Sequence, residues 1–214
     1  MKIKKFTFNP IQENTYLLYD ETNEAVIIDA GMTFENEREA IKQFIEENNL
    51  QLKQVLNTHL HFDHVFGNKF LYDTYHLQPE GGKEDEFMLG SVKESAAYIG
   101  IQTSEEAQPL GKYLSENEII RFGNTELKAF STPGHSPGSF CFYCEKGGVV
   151  FVGDVLFRNS IGRTDFLKGD YDTLIRSIRT KLLTLPDSTV VYSGHGIETT
   201  IGYEKIHNPY LQMI

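Results

Sequence analysis

Cysteine and long hydrophobic runs are scarce in the 214-residue chain. Its two cysteines, Cys141 and Cys144, lie three residues apart in a β-prone segment, where their side chains point to opposite faces. We therefore predict two separate core thiols rather than a redox or metal-binding pair. No stretch approaches 18 apolar residues, which argues against a membrane-spanning helix. The basic start, residues 1–10, is not followed by the apolar run of a secretory signal, so we expect a cytoplasmic protein.

Basic residues are also outnumbered. The chain has 20 Lys and Arg against 30 Asp and Glu, a formal net charge of -10, and no basic stripe along it. Such a surface repels a phosphate backbone, so we expect a small-molecule substrate and no nucleic-acid partner. With 40% apolar and 23% charged residues, the composition is that of a folded protein, and the length predicts a single domain over residues 1–214.

Hydrophobic periodicity divides the chain into two halves, each with several strands followed by helix. The predicted strands are Lys2–Phe8, Thr15–Tyr19, Ala25–Ile28, Leu52–Leu56, Glu118–Arg121, Glu126–Phe130, Ser139–Tyr143, Val149–Val152 and Val190–Tyr192. The predicted helices are Phe34–Asn48, Val65–Tyr75, Glu84–Tyr98 and Asp170–Leu185, with a loop over residues 100–118 and a short helix or loop at Glu198–Ile206. This order favours an α/β fold in which two mixed sheets pack face to face with helices outside, a four-layer αββα sandwich.

Three of the seven histidines fall within six residues, in the segment His59-Leu-His-Phe-Asp-His64. The segment begins where a predicted buried strand ends, which is a frequent position for ligand-binding residues. His59 and His61 are two apart on extended chain and can share one metal ion, while Asp63 and His64 turn away with the incoming helix. The alternative is a solvated turn whose histidines cap that helix. Imidazole and carboxylate together are typical ligands of zinc, iron and manganese.

Three later strand-end loops bracketed by glycine offer further ligands: His135, Asp154 and His195. Taken alone, each has a structural explanation as a helix cap, a turn residue or a satisfied core histidine. Together with the first cluster they give five histidines and two aspartates, enough for two metal ions that share a bridging carboxylate. His76 and His207 lie outside every motif, and we expect surface or packing roles for both.

This pattern resembles the metallo-β-lactamase superfamily along the whole chain. The resemblance implies two divalent ions, with zinc expected first and iron or manganese as alternatives. It implies that His59, His61 and His135 hold the first metal, that Asp63, His64 and His195 hold the second, and that Asp154 bridges them. Asp29, in Ile27-Ile-Asp-Ala-Gly31, matches the family's strand-end aspartate, which lies beneath the metal loops and supports them.

Within the superfamily, residues 132–139, 153–157 and 194–196 resemble the glyoxalase II-like (hydroxyacylglutathione hydrolase-like) thioesterases. Residues 162–166, Gly-Arg-Thr-Asp-Phe, and Asn208-Pro209 are similar to their short, single-domain branch. Typical glyoxalase II enzymes append a helical domain that grips glutathione, whereas only 19 residues follow His195 here. We therefore expect no such domain and a weak dependence on the thiol carrier.

The implied reaction is hydrolysis of S-lactoylglutathione or a related hydroxyacyl thioester. A metal-bridging hydroxide would attack the carbonyl, and the thiolate, with a pKa near ~8.5, would leave without a strong general acid. Asp63 would orient the nucleophile and accept its proton. Arg163 either pairs with Asp165 or stands at the cleft rim to hold a substrate carboxylate.

The main alternative is a persulfide dioxygenase, an oxidoreductase with one iron held by two histidines and an aspartate. Such enzymes resemble this chain at residues 162–166 and at Asn208-Pro209, but they carry a His-Asp pair where Gly194-His-Gly196 stands. The acidic charge disfavours the superfamily's nucleases. The absence of a predicted signal peptide disfavours a secreted β-lactamase. His61 disfavours a flavodiiron protein, because those proteins have Glu at this position. A metal-stabilised binding protein without catalysis is the remaining alternative.

Overall fold

Two six-stranded sheets face each other in the computed structural model, which describes residues 1–103 and 105–212. The first sheet has the order β1-β2-β3-β4-β5-β6 and the second β14-β13-β10-β9-β8-β7. The first consists of β1 (Lys2–Phe8), β2 (Glu13–Tyr19), β3 (Glu24–Ile28), β4 (Gln51–Leu56), β5 (Pro79–Gly81) and β6 (Lys112–Tyr113). The second consists of β7 (Ile119–Phe122), β8 (Thr125–Ser131), β9 (Phe140–Cys144), β10 (Val149–Gly153), β13 (Val190–Ser193) and β14 (Thr199–Thr200). A separate hairpin pairs β11 (Leu156–Phe157) with β12 (Ser160–Ile161).

Helices cover the outer face of each sheet, so the chain forms the predicted four layers. The α-helices are α1 (Glu35–Glu47), α2 (Phe62–Val65), α3 (Asn68–Tyr75), α4 (Val92–Tyr98), α5 (Tyr171–Ser177), α6 (Ile201–His207) and α7 (Pro209–Gln212). A 3-10 helix, Lys83–Ser91, precedes α4, and one π-helical turn, Ile178–Leu182, continues α5. No helix within the described ranges is both long and apolar enough to cross a membrane.

Three apolar layers hold the sandwich together. Inward side chains of both sheets, such as Ile28, Leu56 and Phe142, interdigitate in the central layer. The period-2 alternation of the strands sends their other side chains to the outer layers under α1 and α5. Cys141 and Cys144 lie in different layers, as their spacing predicts, and both are buried free thiols.

The segment between α3 and β7 differs from its predicted structure. Pro79–Gly81 is a strand although no strand is predicted there, and Lys112–Tyr113 adds a strand inside the predicted loop. Both strands are too short for a periodic signal. β5 pairs in parallel with β4, and β6 pairs in parallel with β5, so both strands depend on tertiary contacts. The predicted helix Glu84–Tyr98 is divided between the 3-10 helix and α4.

Candidate metal centre

The strands deliver every candidate ligand to one edge of the sandwich. β3 and β4 are parallel, as are β10 and β13, and β8 runs in the direction of β10 because both are antiparallel to β9. Their carboxyl ends therefore meet, and the segments after them carry Asp29, the cluster 59–64, His135, Asp154 and His195. The two sheets touch there, where Phe140 N–H donates to the Thr58 carbonyl at 2.7 Å.

Two glycines allow this close approach. Gly153 has a φ of +51°, in the left-handed region, and a Cβ at this position would collide with the Thr58 hydroxyl. A Cβ on Gly194 would collide with Asp154 and His64. Side chains at either position would therefore push apart the loops that carry the candidate ligands.

His59, His61 and His135 form the first ligand group, in which one nitrogen from each ring lies within 4.8 Å of the others. His135 Nε2 is 2.9 Å from His61 Nδ1. The outer ring nitrogens of His59 and His135 are held by protein atoms: His59 Nδ1 lies 3.0 Å from the Thr58 hydroxyl, and His135 Nδ1 lies 2.7 Å from the Arg163 carbonyl. Such contacts fix these two rings with one nitrogen aimed into the site.

Asp63, His64 and His195 form the second ligand group, again with their ligand atoms within 4.8 Å of one another. Asp63 Oδ2 lies 3.1 Å from His195 Nε2 and 3.3 Å from His64 Nε2. The outer nitrogen of His195, Nδ1, lies 3.1 Å from the Ile11 carbonyl. Helix α2 presents Asp63 and His64 together because it begins directly after His61.

Asp154 lies between the two groups. One carboxylate oxygen, Oδ2, is 3.7 Å from His135 Nε2 and 3.7 Å from His195 Nε2, while Oδ1 is 3.6 Å from His64 Nε2. These separations are too long for hydrogen bonds. They suit a carboxylate that shares its oxygens between two cations bound by the neighbouring groups.

The unsatisfied atoms of the site fit divalent cations. His59 Nε2, His64 Nε2 and Asp154 Oδ1 are buried without a hydrogen-bond partner among the described residues. Leaving buried polar atoms unpaired is costly, whereas a metal ion satisfies imidazole nitrogen and carboxylate oxygen at once. Both groups can therefore hold a divalent metal.

Electrostatics favours the same conclusion. Burial lowers the pKa of His59 well below its usual value and that of His61 to about 4, so both rings are in the neutral form that binds metals. Burial also opposes a charge on His64, but the carboxylates of Asp63, Asp29 and Asp154 outweigh it and raise the pKa of that ring. The second group is thus an electronegative pocket that attracts a cation.

Asp29, for which the resemblance implies a supporting role, contacts His64 and Thr58 beneath the ligand groups. Its Oδ2 lies 3.0 Å from His64 Nδ1 and accepts a hydrogen bond from the Thr58 hydroxyl at 2.7 Å, and its Oδ1 accepts one from Thr58 N–H at 2.7 Å. Asp29, His59 and His64 also come close enough to hold an ion. The Asp29 carboxylate already accepts these bonds, so we assign it to orienting His64 rather than to ligation.

Asp85 is a supporting residue that the sequence did not reveal. It is fully buried, and its carboxylate accepts hydrogen bonds from Leu60 N–H (3.3 Å), the Ser136 hydroxyl (2.6 Å) and Gly138 N–H (2.6 Å). Leu60 lies between two histidines of the first group and Ser136 follows the third. Asp85 therefore ties together the two loops that form that group. In the sequence it is one charge in the run Lys83-Glu-Asp-Glu86, which looks like a solvated helix face.

The groups open into a cleft of about 1100 Å³. Its walls are largely apolar and include Phe62, Tyr98, Phe157, Phe166 and Ile197. A concave apolar site with a few convergent polar groups is the usual form of a small-molecule pocket.

Arg163 lines the cleft but is already paired. Its Nε and Nη2 donate to the Asp165 carboxylate at 2.9 and 2.7 Å, and its guanidinium lies 4.3 Å from the centre of the Phe166 ring. Arg163 therefore both forms the predicted ion pair with Asp165 and lines the cleft. His76 and His207 are exposed and contribute to neither ligand group.

Comparison with known proteins assigns the family. Residues 8–195 match the family model of the metallo-beta-lactamase superfamily. Hydroxyacylglutathione hydrolase GloC of Haemophilus influenzae is 41% identical over 212 residues, which cover 99% of this chain and 98% of the relative. Probable metallo-hydrolase YqgX of Bacillus subtilis is 36% identical over 99% of this chain and 98% of its own.

Solved structures agree with the sequence relatives. The B3 metallo-beta-lactamase BLEG-1 has a TM-score of 0.86 and 38% identity over 99% of this chain and 100% of its own. TTHA1623 in a di-iron-bound form has a TM-score of 0.85 and 34% identity over 97% and 100%. ETHE1 from Myxococcus xanthus has a TM-score of 0.76 and 29% identity over 98% and 84%. The chain belongs to the metallo-beta-lactamase superfamily, and its fold and its relatives are those of a metallo-hydrolase of that superfamily.

Proposed function

We propose that this protein is a dinuclear metal-dependent thioester hydrolase of glyoxalase II type, acting on S-lactoylglutathione or related hydroxyacyl thioesters. The observation that carries the proposal is the placement of Asp154 between two complete ligand groups at the floor of an open cleft. The 41% identity to a protein named hydroxyacylglutathione hydrolase supports the substrate class. A single-metal chemistry would not require both groups.

In this proposal His59, His61 and His135 hold one ion, Asp63, His64 and His195 hold the other, and Asp154 contacts both. Two such ions, when bound, supply an activated water-derived nucleophile and polarise the substrate carbonyl. The protein contributes rigid ligands, because each histidine of the first group except His61 is anchored through its outer nitrogen. Preorganised ligands of this kind need little rearrangement to reach the transition state, which lowers its free energy.

Asp63 is the proposed acid–base group. Burial alone would raise its pKa, but the neighbouring His64 and His195 lower it to about 2, so the group is a carboxylate at neutral pH. Its Oδ2 faces the ring nitrogens of both histidines across the second group. From this position it orients the attacking oxygen and accepts its proton.

A thioester suits the cleft better than an amide. The leaving thiolate has an ordinary pKa near ~8.5, so departure needs no strong general acid. The described lining residues near the ligand groups are mainly apolar, and no lysine or further histidine stands among them as a proton donor. The apolar walls accommodate the acyl and carrier chains.

The test is hydrolysis by purified protein loaded with zinc, manganese or iron, followed as loss of the thioester absorbance of S-lactoylglutathione. We expect saturable turnover that Asp154→Asn abolishes and His76→Ala leaves unchanged. His76 is a matched control because it is an exposed histidine at the end of α3, outside both groups. Wild-type protein with two bound ions and no thioesterase activity would contradict the proposal.

Two alternatives have their own assays. The resemblance at residues 162–166 favours a persulfide dioxygenase, which would consume oxygen with glutathione persulfide and need one iron per chain. The similarity to BLEG-1 favours a β-lactamase, which would hydrolyse the chromogenic cephalosporin nitrocefin. Either activity, at a rate well above that for S-lactoylglutathione, would replace the thioesterase assignment.

A further inference from the structure

The cleft holds two arginines, and only one of them is free to bind an anion. The described charged residues that line it, apart from the candidate ligands, are Glu94, Arg158 and Arg163. The fork of Arg163 is occupied by Asp165 in a bidentate ion pair. No carboxylate of a described residue forms such a pair with Arg158, although its guanidinium lies 4.5 Å from the centre of the Tyr203 ring.

Stacking on Tyr203 prepares the Arg158 guanidinium for an anion. A guanidinium placed over a ring keeps its in-plane N–H groups free, and those groups match a carboxylate or a phosphate bidentately. Because the ring already restricts the side chain, less conformational entropy is lost when an anion binds. Arg163 has the same stacking geometry on Phe166 but no free fork.

The hairpin that carries Arg158 is fixed to the helix that carries Tyr203. Arg158 lies in the turn between β11 and β12, and Asn159 N–H donates to Glu204 Oε2 of α6 at 3.0 Å. The buried Glu204 carboxylate also accepts from Asn208 Nδ2 at 2.8 Å, so it is already engaged and remains separate from Arg158. The Arg158 guanidinium and the Tyr203 ring are thus carried by one rigid unit of hairpin and helix.

The same hairpin reaches the ligand groups. Phe157, the residue before Arg158, has its ring centre 6.5 Å from that of His195. Phe157 thus brings the hairpin beside the second group, and Arg158 lines the same cleft. The chain carries a net charge of -10, which repels anions over the surface as a whole. The unpaired arginine gives this part of the cleft a positive charge that attracts them.

We propose that Arg158 is the anion-binding residue of the cleft and receives a carboxylate or phosphate on the carrier part of the thioester substrate. The inference rests on the proposed thioesterase function and names its substrate class, thioesters of anionic thiols, in place of the weak carrier dependence expected from the sequence. A carboxylate would come from a peptide thiol such as glutathione, and a phosphate from a coenzyme A-type thiol.

The test compares one acyl group on three carriers: lactoyl-glutathione, lactoyl-coenzyme A and the neutral lactoyl-N-acetylcysteamine. In Arg158→Met we expect kcat/KM to fall on the order of 10- to 100-fold for an anionic carrier, which is the range for losing a charge-assisted hydrogen bond, mainly through KM. The neutral thioester should change less than about 2-fold. Arg158→Lys should recover part of the loss, because it restores the charge without the fork. The carrier that shows the larger loss identifies the source of the anion.

Two further variants make the result specific. Arg121→Met removes an arginine that is paired with Glu126 on the distant β7–β8 hairpin, and it should leave all three substrates unchanged. Arg163→Met should give a smaller carrier-dependent loss than Arg158→Met. Equal losses on neutral and anionic substrates in Arg158→Met, or the larger carrier-dependent loss in Arg163→Met, would overturn the proposal.

A binding measurement separates this inference from the thioesterase assignment. S-methylglutathione has no free thiol to bind metal, and its affinity for metal-loaded protein can be measured by calorimetry even if no thioester is hydrolysed. We expect saturable binding that weakens with salt and falls on the order of 10-fold or more in Arg158→Met. Unchanged affinity in Arg158→Met for both S-methylglutathione and S-methyl-coenzyme A would refute the anion site, whatever the catalytic activity.

Discussion

The substitution Asp85→Asn should weaken one metal site selectively. The carboxylate accepts from Gly138 N–H through Oδ1 and from Leu60 N–H and the Ser136 hydroxyl through Oδ2. An amide has only one acceptor oxygen, so its NH2 group must face either Gly138 N–H or Leu60 N–H. One buried backbone donor then loses its partner, at a cost of about 1–3 kcal/mol.

The lost bond loosens the loops that carry His59, His61 and His135. We expect the affinity of the first ligand group for zinc to fall about 10- to 100-fold, which is the usual effect of changing a residue that orients ligands. The second group has no hydrogen bond to Asp85, and its affinity should change less than about 3-fold. Competition titrations with a chromogenic chelator resolve the two sites.

Asp20→Asn is the matched control for this change. Asp20 is a buried carboxylate that accepts hydrogen bonds from Thr22, Asn124 and Thr125. Asp20 follows the last residue of β2 and is therefore far from the metal centre. The first residue of β2, Glu13, forms a β-bridge with His195 at the edge of the sandwich that carries the ligands. Both variants should lower the melting temperature, but only Asp85→Asn should lose zinc affinity. Equal weakening of both ligand groups, or unchanged affinity of the first, would refute the positioning role of Asp85.

Three other outcomes follow from the geometry. Asp154→Asn should lower the metal content of both groups at once, since a neutral amide does not offset the repulsion between two cations; loss of a single ion would argue against bridging. His59→Ala should lose nearly all activity and the ion of the first group, as measured by elemental analysis, and wild-type turnover with full metal would remove the assignment. Burial alone would raise the pKa of Asp20, but its hydrogen bonds lower it to about 2. The stability deficit of Asp20→Asn in denaturant unfolding should therefore be present at neutral pH and shrink as pH falls through ~4 toward 2; a constant deficit would contradict this.

The candidate ligands could be found in the sequence because their signal is local. His59, His61 and Asp63 lie within one strand-to-helix turn, and the later ligands follow apolar runs that read clearly as strands. Parallel strands bring such ends to a common edge of the sandwich. The family model and the solved structures confirm the resemblance to the superfamily, and the two facing sheets confirm the predicted architecture.

Features that depend on tertiary contacts could not be predicted in this way. Asp85 and Arg158 are single charged residues without a pattern, and their proposed roles depend on what packs against them. The short strands Pro79–Gly81 and Lys112–Tyr113 exist because they pair with the edge of the first sheet. Arg163 shows the same limit, because the sequence allowed both an ion pair and a place in the cleft and the fold provides both.

The central claim is that two ligand groups and Asp154 form a dinuclear hydrolytic centre, and metal stoichiometry coupled to activity tests it most directly. Apo-protein is titrated with zinc, manganese or iron while bound metal and S-lactoylglutathione hydrolysis are measured on the same samples. The account predicts two ions per chain and activity that reaches its maximum only with the second equivalent. Saturation at one iron per chain, with oxygen uptake on glutathione persulfide and no thioester hydrolysis, would contradict it.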